Sequence, residues 1–442
     1  MTEQLKLKLN DSKATRWGAL VIVAFTMMAA YYVNDVVAPL KTMLETDLAW
    51  SSTDFGFFTG GYSFLNVFFL MLIWGGLILD RFGIRFTGKL ATILMVGGTA
   101  LEYYAMTGLA GADATLFGIN EIFGYKTGVF VAFAGYSIFG VGAEVAGITV
   151  SKIIAKWFKG KELATAMGVQ VALARIGSQA GYAVAIPLAR AFGISTPVLL
   201  GLVLLLGGMI AFFIFAVMDK KLDKQMEAAA IAAGTEDEEE KFSFKDVKNI
   251  LVNPGFWLIA LLCVLFYSCV FPFQKFASEL MIIKYGINEN VAGTFAGLPA
   301  LGALILTPVF GGFIDKRGKS ASIMLLGSAM LICVHFIYAI PDINYWLVAI
   351  VLMIILGIAF SLVPSAMWPA VAKIFPVSQL GTAYALIFFI QNIGLWGIPT
   401  LIGWVLDAYC ISGKKPDGTN MYDYTVPMCI FTGIACLSLI VA

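Results

Sequence analysis

Twelve apolar runs of about 20 residues or more succeed one another along this chain, separated by short polar or basic turns. They lie near 17–40, 53–79, 86–107, 128–155, 161–190, 195–217, 254–283, 288–314, 319–340, 344–372, 379–407 and 424–442. A helix rises 1.5 Å per residue, so each run is long enough to cross a hydrocarbon core about 30 Å thick. The pattern predicts an all-α membrane protein with twelve transmembrane helices. Two interruptions are longer than a turn. Asp219–Asn253, with the acidic run Glu236–Lys241, reads as a cytosolic linker carrying a short surface helix. The stretch 107–127 is Gly- and Asp-containing, too polar and broken to be another span, and is expected on the external side.

Internal repetition then organises the helices. Gly76-Leu-Ile-Leu-Asp80-Arg81-Phe-Gly83-Ile-Arg85, between helices 2 and 3, recurs as Gly311-Gly-Phe-Ile-Asp315-Lys316-Arg-Gly318-Lys319, between helices 8 and 9. Leu163-Ala-Thr165-Ala166 recurs as Leu380-Gly-Thr382-Ala383, opening helices 5 and 11. The offsets, 235 and 217 residues, differ because the first half carries the inserted loop 107–127. Two pseudo-symmetric six-helix bundles follow: residues 1–217, a cytoplasmic linker over 218–253, and residues 254–442. Repeated halves with polar groups near the midplane are the layout of an alternating-access transporter.

Charge placement sets the orientation. About 21 of the Lys and Arg residues fall on the side of the N-terminus and about 7 opposite, so the N-terminal side is cytoplasmic by the positive-inside rule. An even number of spans puts the C-terminus there too. With 442 residues, 60% hydrophobic and a mean hydropathy of +0.87, the chain leaves little room for a soluble domain, so function must reside within the bundle. Net charge of +1 gives no global signal for nucleic acid. One histidine and six scattered cysteines supply no metal-ligand spacing, and no cofactor is expected. Cys410 and Cys429 flank the last external loop, where free thiols are favoured over a disulfide. No catalytic or nucleotide-binding constellation is present, which argues against an enzyme.

Chemistry concentrates where lipid would not tolerate it. Glu144 and Arg175 each stand alone in an apolar segment, on consecutive antiparallel helices. A charge near the bilayer centre costs at least about 2.5–3.5 kcal/mol, so it faces a wet cavity or a partner. The two are read either as a site for a ligand bearing both signs or as a buried pair locking two helices. Asn66, Gln391 and Asn392 are intramembrane amides that need partners. Tyr31, Tyr32, Tyr62, Phe271, Phe273, Trp368 and Trp396 are candidate cavity aromatics. Asp35 is a candidate cavity, proton or interfacial residue. Glu102 is expected at the interface, His335 on an outward-facing helix, and Lys275 with Glu279 as a local i, i+4 pair.

The Gly-x-x-x-Asp-Arg-x-Gly turn, present at both loops, resembles the signature loop of the major facilitator superfamily. Its Asp80, Arg81, Gly83 and Arg85, with Asp315, Lys316, Gly318 and Lys319, would gate the cytoplasmic side, Asp80 accepting from a neighbouring helix N-terminus or pairing with a basic residue there. Further stretches resemble that superfamily's lysosomal dipeptide uniporter branch. They are Trp157-Phe-Lys-Gly-Lys-Glu-Leu163, Ala174-Arg175-Ile-Gly-Ser178, Tyr62-Ser63-x-x-Asn66-Val67, Val270-Phe-Pro-Phe273, Met367-Trp368-Pro369 and Gln379–Tyr384 with Gln391-Asn392. The resemblance implies a facilitative carrier of dipeptides, with Glu144 and Arg175 as the binding carboxylate and arginine. A proton-coupled symporter of peptides, amino acids or small organic anions is the alternative, and a transceptor that binds without transport is a further one. The expected partners are a small-molecule substrate and the lipid bilayer, with no nucleic acid, and the chain is expected to act as a monomer. The only N-glycosylation sequon, Asn10-Asp-Ser12, lies on the expected cytoplasmic side, and no acidic dileucine signal is present. A prokaryotic inner membrane is therefore favoured over a lysosomal one, and no accessory subunit is indicated.

Overall fold

The computed structural model describes residues 8–111, 114–233 and 244–442. The acidic run 236–241 and Lys6 lie outside the described residues, as does the side chain of Asp315.

Several helices start where the sequence supplies a side-chain partner for the first free N–H groups. The Ser12 hydroxyl accepts from Thr15 N to open α1 (Lys13–Val36), which leads into the short α2 (Lys41–Asp47). Ser51 and Asp54 cap each other reciprocally at the start of α3 (Ser52–Phe68). The chain then bends by 58° at Phe69 and Leu70 into α4 (Met71–Thr107). Inside α4, Gly83 sits at φ +74° and ψ 174°, a conformation open to glycine and costly for other residues. Gly83 is thus the hinge between the second and third membrane passes. In the second repeat, Gly318 takes φ +72° after α11, so the two signature loops turn on the same residue.

A two-stranded hairpin, β1 (Glu121–Ile122) and β2 (Tyr125–Lys126), occupies the inserted loop and leads into α5 (Thr127–Trp157). There follow α6 (Leu163–Phe192), α7 (Thr196–Ala233) and α8 (Phe244–Val252). The second half comprises α9 (Pro254–Tyr285), α10 (Glu289–Ala296) with α11 (Leu298–Arg317), α12 (Ser320–Ala339), α13 (Trp346–Ile374) and α14 (Val377–Tyr409). A second hairpin, β3 (Ile411–Lys414) and β4 (Asn420–Tyr422), precedes α15 (Thr425–Val441).

By length and apolarity alone, eight helices qualify as spans among the described residues, or nine with α3 and α4 joined. Twelve passes result because Gly83 divides α4, α6 is diluted by Gln170, Arg175 and Gln179, and α15 has only 17 residues. The first six passes pack α1 on α6 and α7 and α4 on α5, while the last six pack α11 on α13 and α12 on α13 and α15. The halves meet through α3 with α14 and α6 with α10 and α11.

Contact between the halves is uneven. The face bearing Lys13, Arg16, Arg81 and Lys152 is here termed the basic face, and its opposite the far face. Among the described residues, every ion pair joining the two halves lies toward the far face: Asp35–Lys275 (3.1 Å), Lys41–Glu279 (2.5 Å), Glu45–Lys415 (3.5 Å) and Arg190–Glu289. There α3 and α14 approach at glycine, since a Cβ on Gly56 would stand 2.4 Å from Pro399 O and one on Gly403 2.2 Å from Ser52 O. Asp407 of α14 accepts from the backbone N–H groups of Ser52 (3.3 Å) and Thr53 (2.6 Å), capping the N-terminus of α3 across the interface. On the basic face, three ion pairs lie within the first half. Asp80 pairs with Lys152 (3.2 Å), Arg85 with Asp223 (2.6 Å), and Lys156 with Asp219 (2.7 Å). Among the described residues, ion pairs thus latch the two halves at the far face in this conformation.

Candidate substrate site

Glu144 falls near the middle of α5 and Arg175 near the middle of α6, the depth at which a charge is least tolerated in lipid. Both are half-buried. Among the described residues no ion pair joins them, so in this state they are not a static lock. Glu144 accepts one hydrogen bond, from the Tyr62 hydroxyl at 3.0 Å. Tyr62 can reach it because α3 and α5 touch at Gly140, where a Cβ would stand 2.0 Å from Tyr62 O.

Arg175 is held differently. Its guanidinium lies over the Phe360 ring at 4.8 Å and the Tyr31 ring at 5.7 Å. Cation–π contacts of this kind are worth roughly 0.5–2 kcal/mol and leave the in-plane N–H fork free. Tyr31 of α1 lies within electrostatic reach of Glu144, Arg175 and Asp35, and so marks the shared space. Phe360 belongs to α13, so Arg175 reaches from the first half to the second.

The second half presents an aromatic wall around that contact. Tyr267 stacks on Phe271 at 5.4 Å, Phe271 meets Phe360 edge-on at 5.3 Å, and the Trp368 indole N–H donates to the Tyr267 hydroxyl at 3.3 Å. Trp368 is also 4.9 Å from Phe388 and 5.7 Å from Tyr384. Tyr267, Phe360 and Tyr384 were not expected, because one more aromatic in an apolar span gives no signal of which way it faces.

The amides divide. Asn66 is buried one turn beyond Tyr62, and neither polar atom of its side chain has a partner. Asn392 donates to its own helix at Phe388 O (2.9 Å) and leaves its carbonyl oxygen unpartnered. Gln391 accepts from the Cys263 thiol, at 3.4 Å. Asp35 is not open to the cavity in this state, because it accepts from Ser178 (2.6 Å) and Asn34 (2.8 Å) and pairs with Lys275. Of the gating residues, Asp80 and Arg85 are engaged as above. Gly83 and Gly318 shape their turns, and the Arg81 guanidinium lies 5.5 Å from the Phe82 ring. Lys316 and Lys319 stand at the α11–α12 turn, where Lys319 takes a left-handed φ of 44°.

Several expectations are corrected. Lys275 and Glu279 do not pair with each other: each finds a partner from the first half, because α9 presents them to α1 and α2 rather than to water. Glu102 is fully buried rather than interfacial. His335 points inward, edge-on to Phe273 (4.9 Å) and stacked on Phe431 (5.3 Å), which also removes Phe273 from the cavity. Tyr32 donates to Pro197 O at 3.2 Å and is buried packing. Cys410 and Cys429 are both free thiols.

The comparisons with known proteins come from sequence and from fold. The family model described as Major Facilitator Superfamily matches residues 20–397. The lysosomal dipeptide transporter MFSD1 of Homo sapiens is 29% identical over 409 residues, covering 89% of this chain and 81% of that protein. Its Gallus gallus counterpart is 33% identical over 287 residues, 62% of each. Among solved structures, the nucleoside transporter NupG superposes with a TM-score of 0.70 at 13% identity, covering 96% of this chain and 97% of that one. A D-xylose–proton symporter superposes with a TM-score of 0.68 at 15% identity, covering 96% of both chains.

Proposed function

The chain belongs to the major facilitator superfamily, and we propose that within it the protein is a facilitative, alternating-access carrier of dipeptides. The observation that carries this reading is the pair of opposite charges left without ionic partners at mid-depth. Glu144 is held by one tyrosine and Arg175 by two aromatic faces. A dipeptide is a zwitterion: its ammonium suits Glu144, and its carboxylate suits the free fork of Arg175, which can bind it bidentately. The aromatic wall from Tyr267 to Phe388 offers broad apolar surface with few fixed hydrogen bonds, which suits variable side chains. Asn66, Gln391 and Asn392 supply amides to the peptide group. The names of the MFSD1 relatives support the substrate class.

On this reading the two bundles rock about the central site. The far-face ion pairs and the Asp407 cap hold the present state, and Asp80 and its loop engage the second half when the basic face closes. The basic face is the cytoplasmic one, with both termini on it, and the protein works as a monomer in a prokaryotic inner membrane. Thermal stabilisation of the purified protein by dipeptides, free amino acids, nitrate and organic acids tests the substrate class. A ligand at about 100 times its Kd adds roughly 2.7 kcal/mol. Stabilisation by many dipeptides, followed by counterflow of labelled dipeptide in liposomes, is the expected result. A shift with a simple anion and silence with dipeptides would overturn it.

A further inference from the structure

Glu102 lies in the part of α4 that follows Gly83, on the far half of the third pass. It is fully buried, and neither carboxyl oxygen has a hydrogen-bond partner. Its enclosure follows from close packing of α4 on α5, where a Cβ on Gly135 would stand 2.9 Å from Glu102 N. The neighbouring buried acids are served differently. Asp35 has Lys275, Ser178 and Asn34, while Glu45 and Glu279 share Lys41 and Lys415. An ionised carboxylate sealed from water with neither cation nor donor is among the least favourable of buried groups, whereas the neutral acid is tolerated.

The groups facing Glu102 bear this out. On α5 the neighbour is Tyr136, and from α9 the one cation within electrostatic reach is Lys275. That lysine is already committed to Asp35 Oδ1 (3.1 Å), Asn34 O (2.6 Å) and the Tyr136 hydroxyl (3.4 Å). Asp35 of α1 lies within reach of that same Tyr136, and α7 carries no charged residue from Thr196 to Val217. Lys275 arrives with the second half. Withdrawal of α9 from α1 would therefore take Lys275 away from Tyr136 and Glu102.

We propose that Glu102 is a proton-binding site that reports which face is open: it holds a proton while the far face is sealed and releases it to the far-side solution when α9 withdraws. The proton is taken from and returned to the same side. Far-side pH then sets the balance between the two conformations, and the carrier stays facilitative. The motion, though not the protonation, rests on the carrier reading above.

Two measurements test this on the full-length protein in lipid nanodiscs without substrate. Infrared spectroscopy of the sealed state should show a protonated-carboxyl band that shifts with carbon-13-labelled glutamate, disappears in Glu102→Gln and persists in Glu144→Gln. Spin labels at Asp47 and Lys414 should report the opening of the far face. In the wild type the open-to-sealed ratio should rise by up to about tenfold per pH unit, the limit for one linked proton. In Glu102→Gln it should stay low and independent of pH. A glutamate band absent from the wild type, or a full pH response retained in Glu102→Gln, would overturn the proposal. Should Glu102→Gln not fold, Glu102→Asp makes the same assignment, because its band would no longer shift with labelled glutamate, and a band that still shifted would overturn the proposal. Failure of dipeptides to bind would leave the infrared result standing and would count against the substrate reading alone.

Discussion

Replacing Arg175 with alanine separates the carrier reading from a structural lock, because the two assign the arginine different partners. If it holds a substrate carboxylate through two charge-assisted hydrogen bonds, each worth about 1.5–3 kcal/mol, its loss should cost at least about 3 kcal/mol of binding. That is more than 100-fold in Kd. Arg175→Lys keeps the charge but loses the fork and the fit over the Phe360 and Tyr31 rings, and should fall between, on the order of tenfold. The unliganded protein should barely change, because Arg175 makes cation–π contacts and no ion pair among the described residues. Breaking a buried ion pair would instead cost about 3–5 kcal/mol by stranding Glu144. Melting curves of wild type and variants, with and without a dipeptide, measure both quantities together. An unliganded Arg175→Ala that melts far lower while still binding dipeptides would refute the reasoning.

Two further outcomes follow from named contacts. Glu144→Gln should weaken free dipeptides more than their N-acetylated forms, as read by the ligand-induced shift in melting temperature, and equal losses would reverse the assigned polarity of the site. Glu279→Gln leaves buried Lys41 and Lys415 to share Glu45, which should cost the sealed state about 3 kcal/mol. The far-face label distance should lengthen in that variant, and an unchanged distance would show that the cluster does not hold the halves together.

How much of this was readable in the chain divides along a physical line. The twelve spans, the repeat and the two mid-span charges were visible because lipid forbids charge and irregular backbone so strongly that exceptions stand out. Gly83 and Gly318 were visible as turn residues, and both adopt positive φ. What was hidden is the direction in which a residue faces. Glu102, near the outer end of an apolar run, reads as interfacial by depth, yet the close fit of α4 on α5 turns it inward. Lys275 and Glu279 satisfy the local i, i+4 rule, yet Asp35 and Lys41 are stronger partners because they share the same dry interface. Phe360 and Tyr267 matter through contacts nearly 200 and 100 residues distant along the chain, which a single sequence does not encode locally.

The two faces also predict each other. At the far face, the Asp407 carboxylate caps the first N–H groups of α3 and accepts from the Tyr422 hydroxyl at 2.8 Å, so a helix N-terminus of one half is held by an acid of the other. At the basic face, Asp80 is mostly exposed and, among the described residues, pairs with Lys152 of its own half. If the second state is the pseudo-symmetric counterpart of this one, Asp80 should take the role that Asp407 plays here, toward the N-terminus of α14. Neutralising either acid removes a charge–dipole contact and charge-assisted hydrogen bonds from one state only, a loss of about 2 kcal/mol, or on the order of 30-fold in the ratio of states. Asp407→Asn should therefore open the far face, and Asp80→Asn should populate the present conformation further. The pair Asp407→Asn/Asp80→Asn should return near the wild-type balance, since the sites lie far apart and their effects add. Distance measurements across both faces give the sign directly. Shifts in the same direction for both single variants would mean that the two acids do not serve opposite states, and the symmetry argument would fail.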